Sequence, residues 1–166
     1  MKKMYKNILF TTDFGPGTRH VFAAALILAH QQGANLHIVH VQADMEEAVV
    51  QSVAVVIGKD KLIDEEKHHH RESEQELRQY FMESLSPELV PVLKEMKDKI
   101  AVAVLSGRPV ASILDYADEI NADLLVIGSR RRGPLRSSLL GAVAERLLRR
   151  TGRPVLVIPP EDANKK

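Results

Sequence analysis

The run Leu124-Leu125-Val126-Ile127 is apolar without alternation, and it constrains the fold more than any other feature of the chain. A strand wetted on one face alternates apolar and polar residues. An unbroken run of strand length is instead covered on both faces, as in a parallel sheet with helices above and below. The neighbouring segments have the spacing such a sheet needs. Asn7-Ile8-Leu9-Phe10-Thr11-Thr12 is a short β-prone run closed by Asp13 and the turn residues Gly15-Pro16-Gly17. From Thr18 to Gln32, Val21, Phe22, Ala25, Leu28 and Ala29 follow helical spacing, and Gly33 stands where a helix stop belongs. Asn35 to Val41 reads as a second strand. Strand, helix and strand in such a short stretch make a βαβ unit, which closes right-handed with parallel strands.

The second half repeats the plan. Ile100 to Leu105 is a strand, and Ser106-Gly107-Arg108-Pro109 turns into a helix with apolar residues at 110, 113, 114, 117 and 120. After the Leu124–Ile127 strand, Leu139, Leu140, Val143, Ala144, Leu147 and Leu148 give one helical stripe, and Pro154 to Ile158 a fifth strand. Five strands separated by helices predict an α/β fold, a doubly wound five-stranded parallel sheet with helices on both faces. Between about 44 and 97 the pattern is less regular. Glu46 to Gly58 is apolar enough to be a helix, a lid or a dimer contact, and Asp64 to Leu85 reads as an exposed helix buried through Leu77, Tyr80, Phe81 and Leu85. Pro87 and Pro91 interrupt the residues beyond it. The strands on either side belong to one sheet, so residues 1–166 are expected to form a single domain, in keeping with their length.

The chain has no cysteine, which excludes disulfide scaffolds, Cys-ligated zinc, iron–sulfur clusters and thiol catalysis. The apolar stretch near the start is too short for a signal-peptide core or a membrane span, so a soluble cytoplasmic protein without membrane contact is expected. The net charge of +1 conceals an asymmetry. Gly128 to Arg153 holds eight arginines against the single acid Glu145, a surplus of +7, and the remainder therefore carries −6. Part of that deficit lies in 44–76, which has ten acids and four bases. The arginines of the last helix are expected to form an exposed face with some pairing to this acidic segment. Without aromatic interleaving, they do not read as a nucleic-acid surface.

In an open parallel sheet, ligands bind beyond the carboxyl ends of the strands, where strand order reverses. The ends to consider are Thr11-Thr12-Asp13, Val41-Gln42, Ser106-Gly107 and Gly128-Ser129-Arg130, expected to converge on one crevice. Several nucleotide and catalytic templates fail there. No Gly-Lys-Ser/Thr P-loop occurs, the dinucleotide fingerprint would need glycine where His20 stands, and there is no GxSxG elbow. What remains is a glycine- and arginine-rich loop leading from Leu124–Ile127 into a helix. Its glycines let backbone approach a phosphate, helix N-terminal amides point at the anion, and arginines add bidentate contacts.

With Ile8-Leu9-Phe10-Thr11-Thr12-Asp13, Gly107-Arg108-Pro109, Asn121 to Ser129, Leu139 to Glu145 and Pro154 to Pro159 in this order, the chain resembles the universal stress protein family. The resemblance implies strand order 3-2-1-4-5, a Rossmann-like or flavodoxin-like arrangement, and a regulatory role in stress response. In family members that bind ATP, a G-x2-G-x9-G-[S/T] motif holds the phosphates. Carried over, it implies ATP or AMP held by Thr11, Thr12, Asp13, Val41, Ile127, Gly128, Ser129, Arg130, Gly133, Gly141, Ala142 and Val143, with Asp13 near the adenosine and Val41 against the adenine. Asp13 also reads as a cap of the turn into the first helix. Gly128 and Gly141 keep the motif's spacing, but Arg131 replaces its second glycine and Ala142 its hydroxyl residue. Arg131 costs about 1–2 kcal/mol if a left-handed backbone is demanded there. The lost hydroxyl costs roughly 1 kcal/mol. Two readings stay open: Arg130 and Arg132, with Ser137 and Ser138, replace the lost contacts, or the chain is a nucleotide-independent protein–protein interaction module.

No catalytic acid/base pair or activated nucleophile stands out, so any ATP hydrolysis is expected to be slow. An adenine-nucleotide hydrolase or transferase would show SGGxDS or HxGH at the first strand, and Thr11-Thr12-Asp13-Phe14-Gly15 matches neither. No metal is expected: the adjacent imidazoles of His68-His69-His70 diverge around a helix, and His37 and His40 differ in strand parity. Their side chains read as solvated. The last strand would be a sheet edge, which invites pairing, and relatives commonly dimerise there, so a homodimer through 154–158 is expected.

Overall fold

The structure is a computed structural model, and it describes residues 4–15, 17–42, 47–129 and 140–159. Five parallel strands form one sheet: β1 (Asn7–Thr12), β2 (Asn35–Gln42), β3 (Ile100–Ser106), β4 (Leu124–Gly128) and β5 (Val155–Ile158), in the order β3-β2-β1-β4-β5. The helices between them are α1 (Thr18–Gln32), α2 (Glu47–Ile57), α3 (Lys59–Glu83), α4 (Val90–Met96), α5 (Pro109–Glu119) and α6 (Ala142–Arg150).

Strand parity sorts the core into two layers. Ile8, Phe10, Leu36, Ile38, Leu124 and Val126 pack under α1, α3 and α4 with Phe22, Leu77 and Phe81. Leu9, Val39, Leu125 and Ile127 turn the other way, toward Val110 and Ile113 of α5 and Ala144 and Leu147 of α6. The four apolar residues opening β4 are all buried, as an unalternating run requires. Phe10, Phe22 and Phe81 form a ring cluster with centroids 4.4–6.2 Å apart. Each such side chain contributes about 1.5–3 kcal/mol by burial.

The irregular segment is mostly helical. Glu46–Gly58, open between helix, lid and contact from its sequence, contains α2, and the charged stretch begins its helix earlier than expected, at Lys59. Pro87 and Pro91 start helices rather than breaking one: Pro87 opens a 3-10 turn, and Pro91 sits in the first turn of α4, where its missing N–H has no intrahelical partner to lose. In α6 the expected stripe is narrower, since Val143 and Leu148 are exposed and only Ala144 and Leu147 are buried. Leu139 lies outside the described residues.

β3 is an edge strand, and α3 is fastened to it and to the carboxyl end of the neighbouring β2. The Val104 amide donates to Glu74 Oε1 at 3.4 Å, Gln42 Nε2 donates to Ser73 Oγ at 3.1 Å, and His70 Nε2 meets Ser106 Oγ at 2.9 Å. Residues 70, 73 and 74 share one helical face. His70 is therefore not the solvated side chain expected. The arginine expectation is likewise corrected for Arg153, whose partners lie around α5: Asp118 Oδ1 at 2.6 Å and the Ala122 carbonyl at 2.7 Å, not the acidic 44–76 segment. His37 and His40 face opposite sides of β2. His37 Nδ1 is 3.4 Å from the Tyr116 hydroxyl on the α5 side, where burial lowers the imidazole pKa and raises that of the phenol.

At the amino ends of the central strands, Asp123 Oδ2 accepts from the Lys6 and Asn7 amides at 2.7 and 2.9 Å. Asn7 Nδ2 donates to the Ile120 carbonyl at 3.1 Å, and Asn35 Nδ2 donates to Asn7 Oδ1 at 2.9 Å. This clamp sets the register of β1 against β2 and β4. Asp123→Ala is expected to cost about 2 kcal/mol, because two backbone donors lose a carboxylate. Urea unfolding measures it as a lowered midpoint with unchanged slope.

Candidate functional site

The strand order reverses between β1 and β4. The chain leaves β1 for α1 on one face of the sheet, whereas the helix following β4, α6, lies on the other. The carboxyl ends of the two strands therefore part, and a cleft of about 170 Å³ opens there.

Its inner wall is apolar, from Val21, Val39, Val41, Ile113, Ile127 and Leu147, and its rim carries Thr11, Thr12, Asp13, Thr18 and Ser129. The β1–α1 turn is held by its own side chains. Thr12 Oγ1 accepts from the Phe14 amide at 3.1 Å, Asp13 Oδ1 accepts from the Gly15 amide at 2.9 Å, and the Thr18 hydroxyl donates to the Gly15 carbonyl at 2.7 Å. Phe14 takes a left-handed backbone with φ 58°, and Gly17 does so with φ 85° as the residue before α1. Asp13 thus caps the turn into α1 through a local Asx turn, as expected, while the N-cap position of the helix itself belongs to Gly17. From the far side, the His40 imidazole reaches the Thr12 carbonyl at 2.9 Å.

The opposite wall is built for close approach. Gly128 ends β4, and a methyl group there would lie 3.0 Å from Val21 Cγ2. The next amide, of Ser129, donates to the Ile158 carbonyl at 2.8 Å. Gly141 precedes α6, and Gly141, Val143 and Ala144 all line the cleft. The first amides of a helix have no partner within it and carry partial positive charge, so this helix end can receive an anion. The cleft thus combines an apolar inner wall, a rim bearing hydroxyl and carboxylate groups, and a helix start whose amides can receive an anion.

Of the residues expected from the sequence, Thr11, Thr12, Asp13, Val41, Ile127, Gly128, Ser129, Gly141 and Val143 come together around the cleft. Ala142 is the first residue of α6, is exposed, and is not among the lining residues. Arg130 and Gly133, like Arg131, Arg132, Ser137 and Ser138, lie outside the described residues. Gln42, Ser106 and Gly107 do not join the crevice, contrary to expectation. Ser106 faces a separate hollow, and Gln42 is turned to Ser73. The cleft is also lined by Phe10, Gly17, Thr18, Val21, Val39, Pro109, Ile113, Ala144 and Leu147, none of them expected there from the sequence. Gly17 and Pro109, beside helix starts just beyond β1 and β3, were the signals available for part of that set.

A sequence model of the universal stress protein family matches residues 4–159. A universal stress protein of Methanocaldococcus jannaschii is 28% identical over 162 residues, covering 95% of this chain and 97% of the relative. Among solved structures, universal stress protein UspA from Lactobacillus plantarum shares the fold with a TM-score of 0.64 at 21% identity, covering 95% of this chain and 99% of that one. The universal stress protein from Archaeoglobus fulgidus in complex with dAMP does so with a TM-score of 0.53 at 21% identity, covering 93% and 98%.

The tight meeting of Gly128 and Val21 tests the cleft's wall. Gly128→Ala is expected to destabilise by about 1–3 kcal/mol through overpacking. Adding Val21→Ala should recover at least about 1 kcal/mol relative to the sum of the two single losses, measured as a double-mutant cycle in urea.

Proposed function

The chain belongs to the universal stress protein family, and from that premise we propose that it is a regulatory stress-response protein that binds ATP or AMP in the cleft between β1 and β4. The observation carrying this reading is the gathering of Thr11, Thr12, Asp13, Val41, Gly128, Ser129 and Gly141 around one cleft at the switch point of the sheet. The dAMP complex of the Archaeoglobus fulgidus relative supports an adenine nucleotide as the ligand class. In this reading the adenine lies against Val41, the ribose meets Asp13, and the phosphates approach Gly128, Ser129 and the amides opening α6, with Arg130 and Gly133 completing the loop.

The protein's part is to bind and to signal occupancy. In this reading nucleotide hydrolysis is slow at most. Among the described residues no helix is long and apolar enough to cross a membrane, and the proposed location is the cytoplasm. A homodimer paired through 154–158 completes the reading, since β5 lies at the sheet edge with Leu156 partly exposed.

Arg131 and Ala142 favour a second reading, a nucleotide-independent module that docks a protein partner through the arginine loop. Both departures fall at the phosphate end of the motif, whereas the adenosine end is complete. Calorimetry separates the readings. The first predicts heat with AMP and ATP, and in Arg131→Gly/Ala142→Ser an ATP affinity tightened by roughly thirtyfold with a smaller change for AMP. Absence of binding by either nucleotide to either protein overturns it and leaves the partner-docking role.

A further inference from the structure

The hollow at the carboxyl end of β3 is separate from the nucleotide cleft, and it holds a serine–histidine pair that neither the family motif nor the proposed ligand uses. Ser106 is exposed at the strand's end, and its Oγ lies 2.9 Å from His70 Nε2. The other ring nitrogen, Nδ1, lies 3.0 Å from the Glu66 carbonyl oxygen one turn back in α3. A carbonyl only accepts, so Nδ1 carries the hydrogen. In the neutral ring Nε2 is then the acceptor, and the Ser106 hydroxyl donates to it. A hydroxyl, a base and a group that orients the base are thus arranged in sequence, the relation that activates a serine.

The surroundings limit what such a serine could attack. The hollow, about 530 Å³ and open to solvent, is lined along the strand by Val104, Leu105 and Ser106, with Val104 on the apolar side facing α3, and by Lys67, His70 and Arg71 on the helix. The apolar side accepts an aliphatic chain, and the two cations can stabilise an oxyanion developing beside it. Ser106 itself is held in place, because its carbonyl accepts from the Ser112 hydroxyl at 3.2 Å and its strand is paired with β2.

We propose that Ser106 is a nucleophile for acyl transfer, activated by His70, with an activated ester or thioester of a small aliphatic acid as the acyl donor. Ser106 Oγ bonds to the acyl carbon as its proton passes to His70 Nε2. The bond from that carbon to the donor's alkoxy or thiolate group breaks, and the leaving group takes the proton from His70. The products are Ser106 O-acylated and a free alcohol or thiol, with no oxidant or cofactor required.

The competing explanation is that His70–Ser106 only fastens α3 to the edge of β3, together with Val104–Glu74 and with Gln42–Ser73 at the end of β2. His70→Gln distinguishes the two, since glutamine can still hydrogen-bond Ser106 but cannot take its proton. The full chain, without nucleotide, is incubated with p-nitrophenyl acetate while nitrophenolate release is followed and the acetylated peptide identified by mass spectrometry. The expected result is one acetyl group on Ser106, with the chain's other serines as internal controls. Labelling should be lost in Ser106→Ala and slowed about a hundredfold in His70→Gln, with unchanged circular dichroism. Acetylation confined to other residues, or a rate unaffected in His70→Gln, overturns the proposal. Should His70→Gln fail to fold, the site of labelling in the wild type and its loss in Ser106→Ala decide the question.

Discussion

The cleft proposed to hold the nucleotide depends on β1 and β4 lying side by side, sealed on both faces and clamped at their amino ends. Ile8 to Phe10 and Leu124 to Ile127 are buried, so neither strand can shift by one residue without moving its core residues to the wrong layer. Asp123 and Asn7 fix the same register by hydrogen bonds. With the amino ends joined and the onward helices on opposite faces, the carboxyl ends part. The cleft is thus a consequence of topology, and the residues that line it are those that topology delivers there.

The two ends of the cleft have different physical character. The end proposed for the adenosine rests on regular elements: β2 supplies Val39 and Val41, and the β1 turn is held by Thr12, Asp13 and Thr18. The end proposed for the phosphates depends on a glycine, Gly128, where a Cβ would crowd Val21, and on the start of α6. The departures from the family motif, Arg131 and Ala142, fall in the sequence between Gly128 and α6 or at its first residue. The +7 surplus falls in the same sequence segment, Gly128–Arg153, and within it Arg153 is engaged with Asp118. Charge in this segment therefore serves the fold as well as any anion.

Much of the fold was legible in the residues because strong local signals agreed with each other. Val21, Phe22, Ala25 and Ala29 between a glycine at each end mark α1 with its observed limits, and the unalternating Leu124–Ile127 run identifies a strand sealed on both faces. The helices of the 44–97 segment were harder to place. Valine-rich α2 has composition that suits strand or helix, and Pro87 and Pro91 are compatible with either ending a helix or beginning one. The site was legible where chain position alone places a residue at a strand end, as for Thr11 to Asp13 and Gly128. It was not legible where a contact joins distant segments. His70 and Ser106 are 36 residues apart, and no periodicity announces that a helix side chain will reach a strand end. The same limit explains why Ser106 was expected in the main crevice and found facing another hollow.

The central claim is that the cleft between β1 and β4 is the adenine-nucleotide site. Two-dimensional amide NMR during titration with AMP and then ATP tests it most directly, because every named residue of the cleft except proline reports separately. The account predicts that the amides of Thr11 to Asp13, Val41, Gly128, Ser129 and Gly141 to Val143 move in a saturable way, while those beside Ser106 and His70 stay in place. Unmoved cleft amides at saturating nucleotide, or shifts confined to another surface, would contradict it.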